Sequence, residues 1–360
     1  MTNKEPKLLF IPDISGFTDF VNNTEISHSR HIISELLEVI INSDKSGMSV
    51  SEIERDAVLF FKDSTISVYE IIDQCETTFK NFHSHLQKYD TERICRCGAC
   101  ETASNLSLKF IVHSGEIEII NIKEHQKLHG SDVILAHRLL KNSIKEREYI
   151  LLSDNFMSYK NDQINKSANW IEIQKGQDSF DGIGAIDYSF ISLTNLPLEP
   201  PDNKSLTFPI LDKERISLQK TINANVDIVY EYYTNFEKRL QWNEEIKEII
   251  LHGSKLNKTG SLHSCLIGNN TLNMKTIGRL EDKDSIVYGE RLNKFKGLRD
   301  IISIYTFEKK GEKTIVNVDI DYKIQSWLGK LQKPMVHKML KKQTENVLMR
   351  LKKISEENPA

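Results

Sequence analysis

The feature that most constrains the fold is a proline-rich segment at residues 196–209, LPLEPPDNKSLTFP, which holds four of the eight prolines in the chain. Proline fixes φ and donates no backbone hydrogen bond, so this run favours an extended connector over a helix or a central strand. The 360 residues are enough for two domains that each bury a core. We therefore predict a first domain at residues 1–195, a linker at 196–209 and a second domain at 210–357.

Charge and apolar content exclude several classes of partner. The 48 Lys and Arg residues nearly balance the 51 Asp and Glu residues, and a net charge of −3 provides no basic field for nucleic acid or membrane lipid. No stretch approaches the roughly 18 apolar residues of a membrane span, and the N-terminal sequence MTNKEPKLLFIPD is unlike a signal peptide. Five cysteines in so long a chain do not form a disulfide framework, so we expect a cytoplasmic protein without nucleic-acid or membrane partners.

The first predicted domain opens with an apolar run that leads into a carboxylate, in LLFIPDISGFTDF at residues 8–20. Asp13 ends the run just before a glycine turn and a helix start, and Asp56 stands beside another predicted strand in SEIERDAVLFF. Two carboxylates on neighbouring strands can hold Mg²⁺ or Mn²⁺, and the amides of residues 16–18 at a helix N-terminus suit a phosphate. The alternative is that Asp13 caps the helix and Asp56 is a turn residue.

These motifs resemble, in their order, those of class III nucleotidyl (adenylate and guanylate) cyclases, in a form of the DUF2652 type. DISGFT at residues 13–18 is similar to the family signature DIxGFT. The segments that look like the later family motifs are, in chain order, EIERDAVLFF, FIVHSGEI, HGSDVILAHRLL and YILLSDNFMSY. The resemblance covers about residues 7–194 and implies an α+β, ferredoxin-like cyclase domain.

The same resemblance implies a reaction and a set of site residues. In that family the 3′-hydroxyl of a nucleoside triphosphate attacks the α-phosphorus, and pyrophosphate leaves in a two-metal displacement. Asp13, Asp56 and the Ile14 carbonyl would be the metal ligands, and Arg138 would stabilise charge on the phosphorus oxygens. The residues implied for nucleotide binding are Gly16, Phe17, Thr18, Glu52 and Lys127. Family sites form between two chains, which implies a homodimer.

The chain departs from the family at several of these positions. Ile134 stands where the family has a ribose-binding asparagine, and Arg55 where it has a glycine. Glu52 resembles the guanine-selecting glutamate, but Lys127 occupies its partner position, so the two could pair with each other instead of with a base. We therefore expect metal and triphosphate binding with weak or unconventional cyclase activity. A catalytically inactive signalling protein that senses a ligand is the alternative.

A cysteine-rich segment, RICRCGACE, brings Cys95, Cys97 and Cys100 together, with His83 and His85 upstream. Three thiolates and one histidine would satisfy tetrahedral Zn²⁺. The C-x-C-x₂-C spacing is not that of a standard zinc knuckle, and no second paired half follows. A redox-active or simply structural loop is therefore the alternative.

The second predicted domain resembles the START-like (SRPBCC, polyketide-cyclase-type) helix-grip family. The resemblance covers about residues 210–356 and rests on the helix in INANVDIVYEYYTNFEKRLQWNEEIKEII, a series of strands and a closing helix predicted over 326–354. It implies a cavity between sheet and helix that binds a small hydrophobic ligand. The candidate lining residues are Tyr233, Trp242, His263, Cys265, Met274 and Met335. Ordinary core packing is the alternative for each of them.

Overall fold

The computed structural model describes residues 6–22, 24, 26–63, 66–123, 125–158, 169–200, 207–212, 215–253, 256–295, 297–324 and 332–358. The described residues fall into two units, one drawn from residues 1–89 and 101–201 and the other from 90–100 and 202–360. The boundary between residues 201 and 202 lies inside the proline-rich segment. Residues 201–206 of this segment are outside the described part. The assignment of residues 90–100 to the second unit has no counterpart in the sequence pattern.

Helices and strands alternate irregularly along the first part of the chain. In order, they are β1 (Lys7–Ser15), α1 (Phe17–Asn22), α2 (Ile26–Asn42), β2 (Ser49–Ile53), β3 (Val58–Lys62), α3 (Val68–Thr91), α4 (Gly98–Thr102), β4 (Ser107–Gly115), β5 (Glu118–Ile122), β6 (His125–His129), α5 (Ser131–Leu139), β7 (Tyr149–Ser153), α6 (Asp154–Ser158), β8 (Ile173–Phe180) and β9 (Gly184–Ser192). This order confirms the α+β prediction.

The first unit is built on a seven-stranded sheet in the order β2-β3-β1-β4-β7-β9-β8. Of these neighbours only β4 and β7 are parallel, and β5 and β6 form a separate hairpin. The apolar run of β1 is buried on both faces because the strand is central and the sheet is covered. β1 does not end at Asp13, as the sequence suggested, but continues to Ser15 in register with β4.

From residue 207 onward, the described residues form a seven-stranded antiparallel sheet and three helices. The elements are β10 (Ile216–Ile222), α7 (Val226–Thr234), α8 (Phe236–Trp242), β11 (Ile246–His252), β12 (Leu262–Ile267), β13 (Asn270–Asp282), β14 (Ser285–Phe295), β15 (Leu298–Lys310), β16 (Lys313–Ile324) and α9 (Lys333–Glu357). The strand order is β10-β16-β15-β14-β13-β12-β11. Side chains of α9 join the apolar core that lies against this sheet, as a helix-grip fold requires.

The buried face of α9 differs from the predicted one. Met335 is 67% exposed and is not a cavity-lining residue, whereas Leu348 and Leu351 are buried. Thr344 is buried as well, and its hydroxyl donates to the Leu340 carbonyl at 2.9 Å, which satisfies this polar group where it is buried. Residues 326–331 of the predicted helix lie outside the described part. None of the described helices is long and apolar enough to cross a membrane.

Candidate functional sites

Asp13 lies on β1 between two neighbouring strands. Asp13 pairs with Lys109 on β4 and, on its other side, forms an isolated bridge with Ala57. The Lys109 ammonium is 3.1 Å from the Asp13 carboxylate and also donates to the Leu140 carbonyl at 3.2 Å. The carboxylate therefore already has one cationic neighbour, which the sequence did not suggest.

Asp56 lies in the turn between β2 and β3, close to Asp13. The Ile14 amide donates to the Asp56 carbonyl at 2.7 Å, which fixes the turn against the end of β1. Burial raises the pKa of Asp13 to about 6 against the opposing effect of Lys109, and the charges of Asp56 and Glu54 raise it further. The two aspartates named from sequence thus share an edge of the sheet that carries excess negative charge.

Gly16 follows β1 and forms part of a pocket of about 390 Å³. Its φ of +86° is in the left-handed region that favours glycine, and a Cβ there would be 3.1 Å from an amino group of Arg147. Arg147 and Asp19 also line the pocket. Phe17 is half-buried, and Thr18, which the sequence named with it, is exposed on the short helix α1.

Helix α5 carries Ile134 and Arg138, the two positions that the resemblance to cyclases assigned to the transition state. Ile134 is 58% exposed, and Arg138, one turn later on the same face, is exposed as well. His137, next to Arg138, has its Nδ1 atom 3.3 Å from a Glu54 carboxylate oxygen. The His137 ring therefore reaches the turn that carries Asp56, while Ile134 and Arg138 are open to solvent.

Glu52 and Lys127 lie near each other, as their departure from the family pattern suggested. The Lys127 ammonium is 3.8 Å from a Glu52 carboxylate oxygen, at the outer limit of an ion pair. Their side chains are 34% and 60% exposed respectively, so solvent screens the pair strongly.

A buried Ser-His-Asp cluster was missed at the sequence level. His113 is fully buried, with Nδ1 2.7 Å from the Ser153 hydroxyl and Nε2 2.9 Å from an Asp132 carboxylate oxygen. These are the residue types of a nucleophilic triad. Ser153 is 1% exposed and its hydroxyl accepts from the Phe156 amide, so the cluster joins β4, α5, β7 and α6 instead of presenting a nucleophile.

The three clustered cysteines belong to residues 90–100 of the second unit. The Sγ atoms of Cys95, Cys97 and Cys100 lie within 4.8 Å of one another. Hydrogen bonds from Cys100 and Cys97 lower the pKa of Cys95 to about 4, and the bond to Cys95 raises the pKa of Cys100. One thiolate is thus held by two thiols, which is a state suited to a soft metal ion.

The two histidines named with these cysteines have acidic neighbours in the first unit. His83 Nε2 lies 2.8 Å from a Glu148 carboxylate oxygen, and His85 Nε2 lies 3.1 Å from Glu35. Glu35 is buried and also accepts from the Tyr89 hydroxyl at 2.6 Å. These contacts give both rings a structural role within the first unit.

A cavity of about 250 Å³ lies between the sheet of the second unit and α9. Of the predicted lining residues, Tyr233, Cys265 and Met274 are at its wall. Trp242 is not, because its indole N–H donates to the Tyr232 carbonyl at 2.8 Å. His263 is also absent from the wall and packs against the ring of Phe236, with 4.5 Å between the ring centroids.

The cavity wall carries a buried ion pair that the sequence analysis missed. Arg239 Nη1 donates to a Glu290 carboxylate oxygen at 2.8 Å, and the same oxygen accepts from the Tyr288 hydroxyl at 2.7 Å. Burial raises the pKa of Glu290, but the charge of Arg239, the neighbouring His263 and the hydrogen bonds from Tyr288 and Arg239 together outweigh it and leave that pKa below its ordinary value. Arg239 shares a helical face with Phe236 and Trp242, three residues away on either side, and this spacing is the signal that could have revealed it.

Two family profiles match the chain, one in each half. The profile described as "Protein of unknown function (DUF2652)" matches residues 33–149, and that described as "Polyketide cyclase / dehydrase and lipid transport" matches residues 213–356. The protein Rv2561/Rv2562 of Mycobacterium tuberculosis, described as uncharacterized, is 30% identical over 173 residues, which are 48% of this chain and 79% of that protein.

Solved structures similar to the chain include two cyclase domains. The guanylate cyclase domain of RhGC from Catenaria anguillulae, in complex with GTP, covers 52% of this chain and 97% of its own, with 16% identity and a TM-score of 0.38. The adenylyl cyclase CyaB from P. aeruginosa covers 52% of this chain and 94% of its own, with 16% identity and a TM-score of 0.38. The chain thus belongs to the family of Rv2561/Rv2562 and joins a DUF2652 region to a polyketide cyclase/dehydrase and lipid transport (SRPBCC) domain.

Proposed function

We propose that the second unit binds a small, mostly apolar molecule and that this binding is the sensory input of a signalling protein. The observation that carries the proposal is the cavity of about 250 Å³ between the sheet and α9, whose walls include Leu272, Ile301 and Leu340. Cavities of this kind bury most of a small ligand's surface, and apolar walls supply the affinity. Native mass spectrometry of the purified full-length protein tests it, since a co-purifying small molecule is the expected result.

We further propose that the first unit binds a divalent cation and a nucleoside triphosphate. The support is geometric: the Ile14 amide donates to the Asp56 carbonyl at 2.7 Å and Asp13 forms a bridge with Ala57, so the two aspartates are close together. A bound Mg²⁺ or Mn²⁺ would offset the charge of two neighbouring carboxylates. Asp13, Asp56 and the Ile14 carbonyl are the proposed metal ligands. The pocket beside Gly16, with Arg147 at its wall, is the proposed place of the phosphates.

Slow or unconventional cyclisation is part of this proposal. When bound, the metal ions would lower the pKa of the 3′-hydroxyl and neutralise phosphate charge. Lys109 competes with a cation for Asp13 at 3.1 Å, and Ile134 has no polar group with which to orient a ribose. Arg138, exposed on α5, would act on the site of a second chain, which is why we also propose a homodimer.

The test of this second proposal is a product analysis. The full-length protein is incubated with Mn²⁺ and each nucleoside triphosphate, and the products are analysed by mass spectrometry. A cyclic nucleotide made by the wild type but not by Asp13→Ala supports the enzyme. Nucleotide binding without product supports the inactive sensor, and sedimentation of the same samples measures the dimer.

Zinc binding by the clustered cysteines is a third, separate proposal. Its support is the mutual approach of the Cys95, Cys97 and Cys100 sulfur atoms within 4.8 Å, which matches the thiolate chemistry of structural zinc sites. Elemental analysis of untagged protein is expected to give about one zinc per chain. Cys95→Ser should abolish the zinc content, while Cys265→Ser, a buried thiol of β12, serves as the matched control. Equal zinc in both variants contradicts the proposal.

A further inference from the structure

We propose that the cavity of the second unit selects an uncharged ligand whose oxygen accepts a hydrogen bond from Arg239, such as a ketone, an ester or an alcohol. A carboxylate of the same shape would bind less well. This inference rests on the proposed apolar-ligand function and specifies the chemistry of the ligand.

Arg239 provides an unused hydrogen-bond donor at the cavity. Arg239 is 3% exposed and lies in the cavity wall. Its Nε donates to the Tyr233 carbonyl at 2.6 Å and its Nη1 to Glu290 at 2.8 Å. Its Nη2 has no hydrogen-bond partner among the described residues. A guanidinium has five N–H donors, and a buried donor without an acceptor is costly, so an oxygen at this wall would be bound favourably.

The guanidinium is also held in a fixed orientation. Its central carbon lies 4.4 Å from the centroid of the Tyr233 ring and 5.0 Å from that of the Phe236 ring. Together with the two hydrogen bonds, these contacts fix the plane of the guanidinium and so the direction of Nη2. A preorganised donor binds a matching acceptor with little loss of side-chain entropy.

The charged groups at the Arg239 wall of the cavity balance one another. Glu290 is 3% exposed and neutralises Arg239, so the pair offers a donor without net positive charge. His263 lies 3.7 Å from Glu290 and is uncharged near neutral pH because burial lowers its pKa to about 4. Glu245, which also lines the cavity, pairs with Arg350 at 3.1 Å. An anionic ligand would therefore approach Glu290 without a spare cation to offset the repulsion.

The apolar lining and the volume of the cavity limit the size and polarity of the ligand. Apolar side chains of six strands, β11 to β16, and of α9 also line the cavity, among them Leu272, Met274, Ile320 and Leu340. The volume of about 250 Å³ is just below the range of roughly 300–1,000 Å³ for drug-sized ligands. The ligand class is therefore a one- or two-ring or short-chain molecule with a single neutral oxygen function.

The experiment compares three probes of one shape on the full-length protein by isothermal titration calorimetry. They are 2-acetylnaphthalene (a ketone), 2-ethylnaphthalene (a hydrocarbon) and 2-naphthoate (a carboxylate). We expect the ketone to bind about tenfold more tightly than the hydrocarbon, which corresponds to about 1.4 kcal/mol. We expect 2-naphthoate to bind more weakly than the ketone.

Two variants test whether the preference for the ketone over the hydrocarbon depends on the Arg239–Glu290 ion pair. Arg239→Met combined with Glu290→Gln removes both charges together, so that neither is left buried alone. In this double variant the ketone and the hydrocarbon should bind equally well. Met349→Leu, at an exposed position of α9 outside the cavity lining, is the control in which the tenfold preference should persist. Near-UV circular dichroism checks that both variants are folded.

The outcomes separate this inference from the proposal on which it rests. Equal binding of ketone and hydrocarbon to the wild type overturns the inference and leaves apolar-ligand binding intact. Tighter binding of 2-naphthoate than of the ketone overturns it in the same way. Absence of binding by all three probes overturns the apolar-ligand function and this inference together. If the double variant does not fold, the wild-type series decides the question alone.

Discussion

The Asp13 edge of the first unit and the Glu290 wall of the second both pair an acid with a base, but the first is left with excess negative charge and the second with an unused hydrogen-bond donor. Asp13 has one lysine at 3.1 Å and two acidic neighbours, and its pKa is raised to about 6. Glu290 accepts from Arg239 and Tyr288, and its pKa is lowered. The first site retains negative charge that a cation could relieve, while the second retains a donor that an acceptor could satisfy. An ion pair of this kind therefore points to a ligand only where it leaves unbalanced charge or an unused hydrogen-bond donor.

The largest expected effect comes from replacing the acid of the second site with a neutral amide. Glu290→Gln leaves the Arg239 charge buried without its partner, so we expect a loss of about 3–5 kcal/mol in the free energy of unfolding. Urea denaturation at pH 7.5 measures it. Adding Arg239→Met should recover most of the loss, and a single variant as stable as the wild type would contradict the comparison.

A pH series tests the uncharged state of His263 beside that wall. Burial lowers its pKa from 6.5 to about 4, so between these values the unfolded chain binds a proton that the folded chain does not. Stability should therefore be full above pH 6.5 and fall by about 3 kcal/mol as the pH drops to 4.

The matched variant for this series is His263→Gln, which cannot titrate. Its stability should lose the part of the pH dependence that belongs to His263 between pH 6.5 and 4. An unchanged slope would show that His263 is not the residue responsible.

Replacing Asp13 with asparagine should increase the free energy of unfolding, whereas Glu290→Gln should decrease it. Because the folded pKa of about 6 exceeds the ordinary 3.8, stability falls as the pH rises through this interval, and the ionised carboxylate is unfavourable above it. Asp13→Asn should therefore raise the free energy of unfolding at pH 8 by about 1–3 kcal/mol. Thermal denaturation at pH 8 measures it, and destabilisation would mean that the Lys109 pair outweighs the repulsion.

The smallest expected effect concerns the competitor cation at the first site. Lys109→Met removes the ammonium beside Asp13 and should strengthen Mn²⁺ binding about tenfold, or about 1.4 kcal/mol. Calorimetric titration with Mn²⁺ measures the change, and Asp13→Asn is the control in which binding should be lost. Weaker binding to Lys109→Met than to the wild type would argue against a metal site at this edge.

Local patterns predicted much of the fold and part of each site. The run before Asp13 predicted a buried strand, and the hairpin around Asp56 follows from its flanking residues. The three cysteines lie within six positions of one another, so their approach needs little beyond chain connectivity. Features of this kind depend on covalent spacing and on propensities that a few neighbouring residues express.

The errors concern which partner or which side of the fold a side chain meets. Trp242 was expected at the cavity, but its indole N–H is satisfied by the Tyr232 carbonyl, away from the wall. Met335 was expected on the buried face of α9, which begins one residue later in the helical repeat. Such outcomes depend on which partner each side chain meets, and the spacing of residues along the chain does not carry that information.

The amino-acid sequence alone predicted the α+β character and the acidic and cysteine-rich segments, because these follow from short-range pattern and composition. It did not indicate that residues 90–100 belong to the second unit. Only the tertiary structure decided that Lys109 faces Asp13 and that Arg239 meets Glu290, 51 positions away. The register of strands and the docking of helices bring these groups together. Burial in a low-dielectric interior then makes the resulting pairs the dominant electrostatic feature of each site.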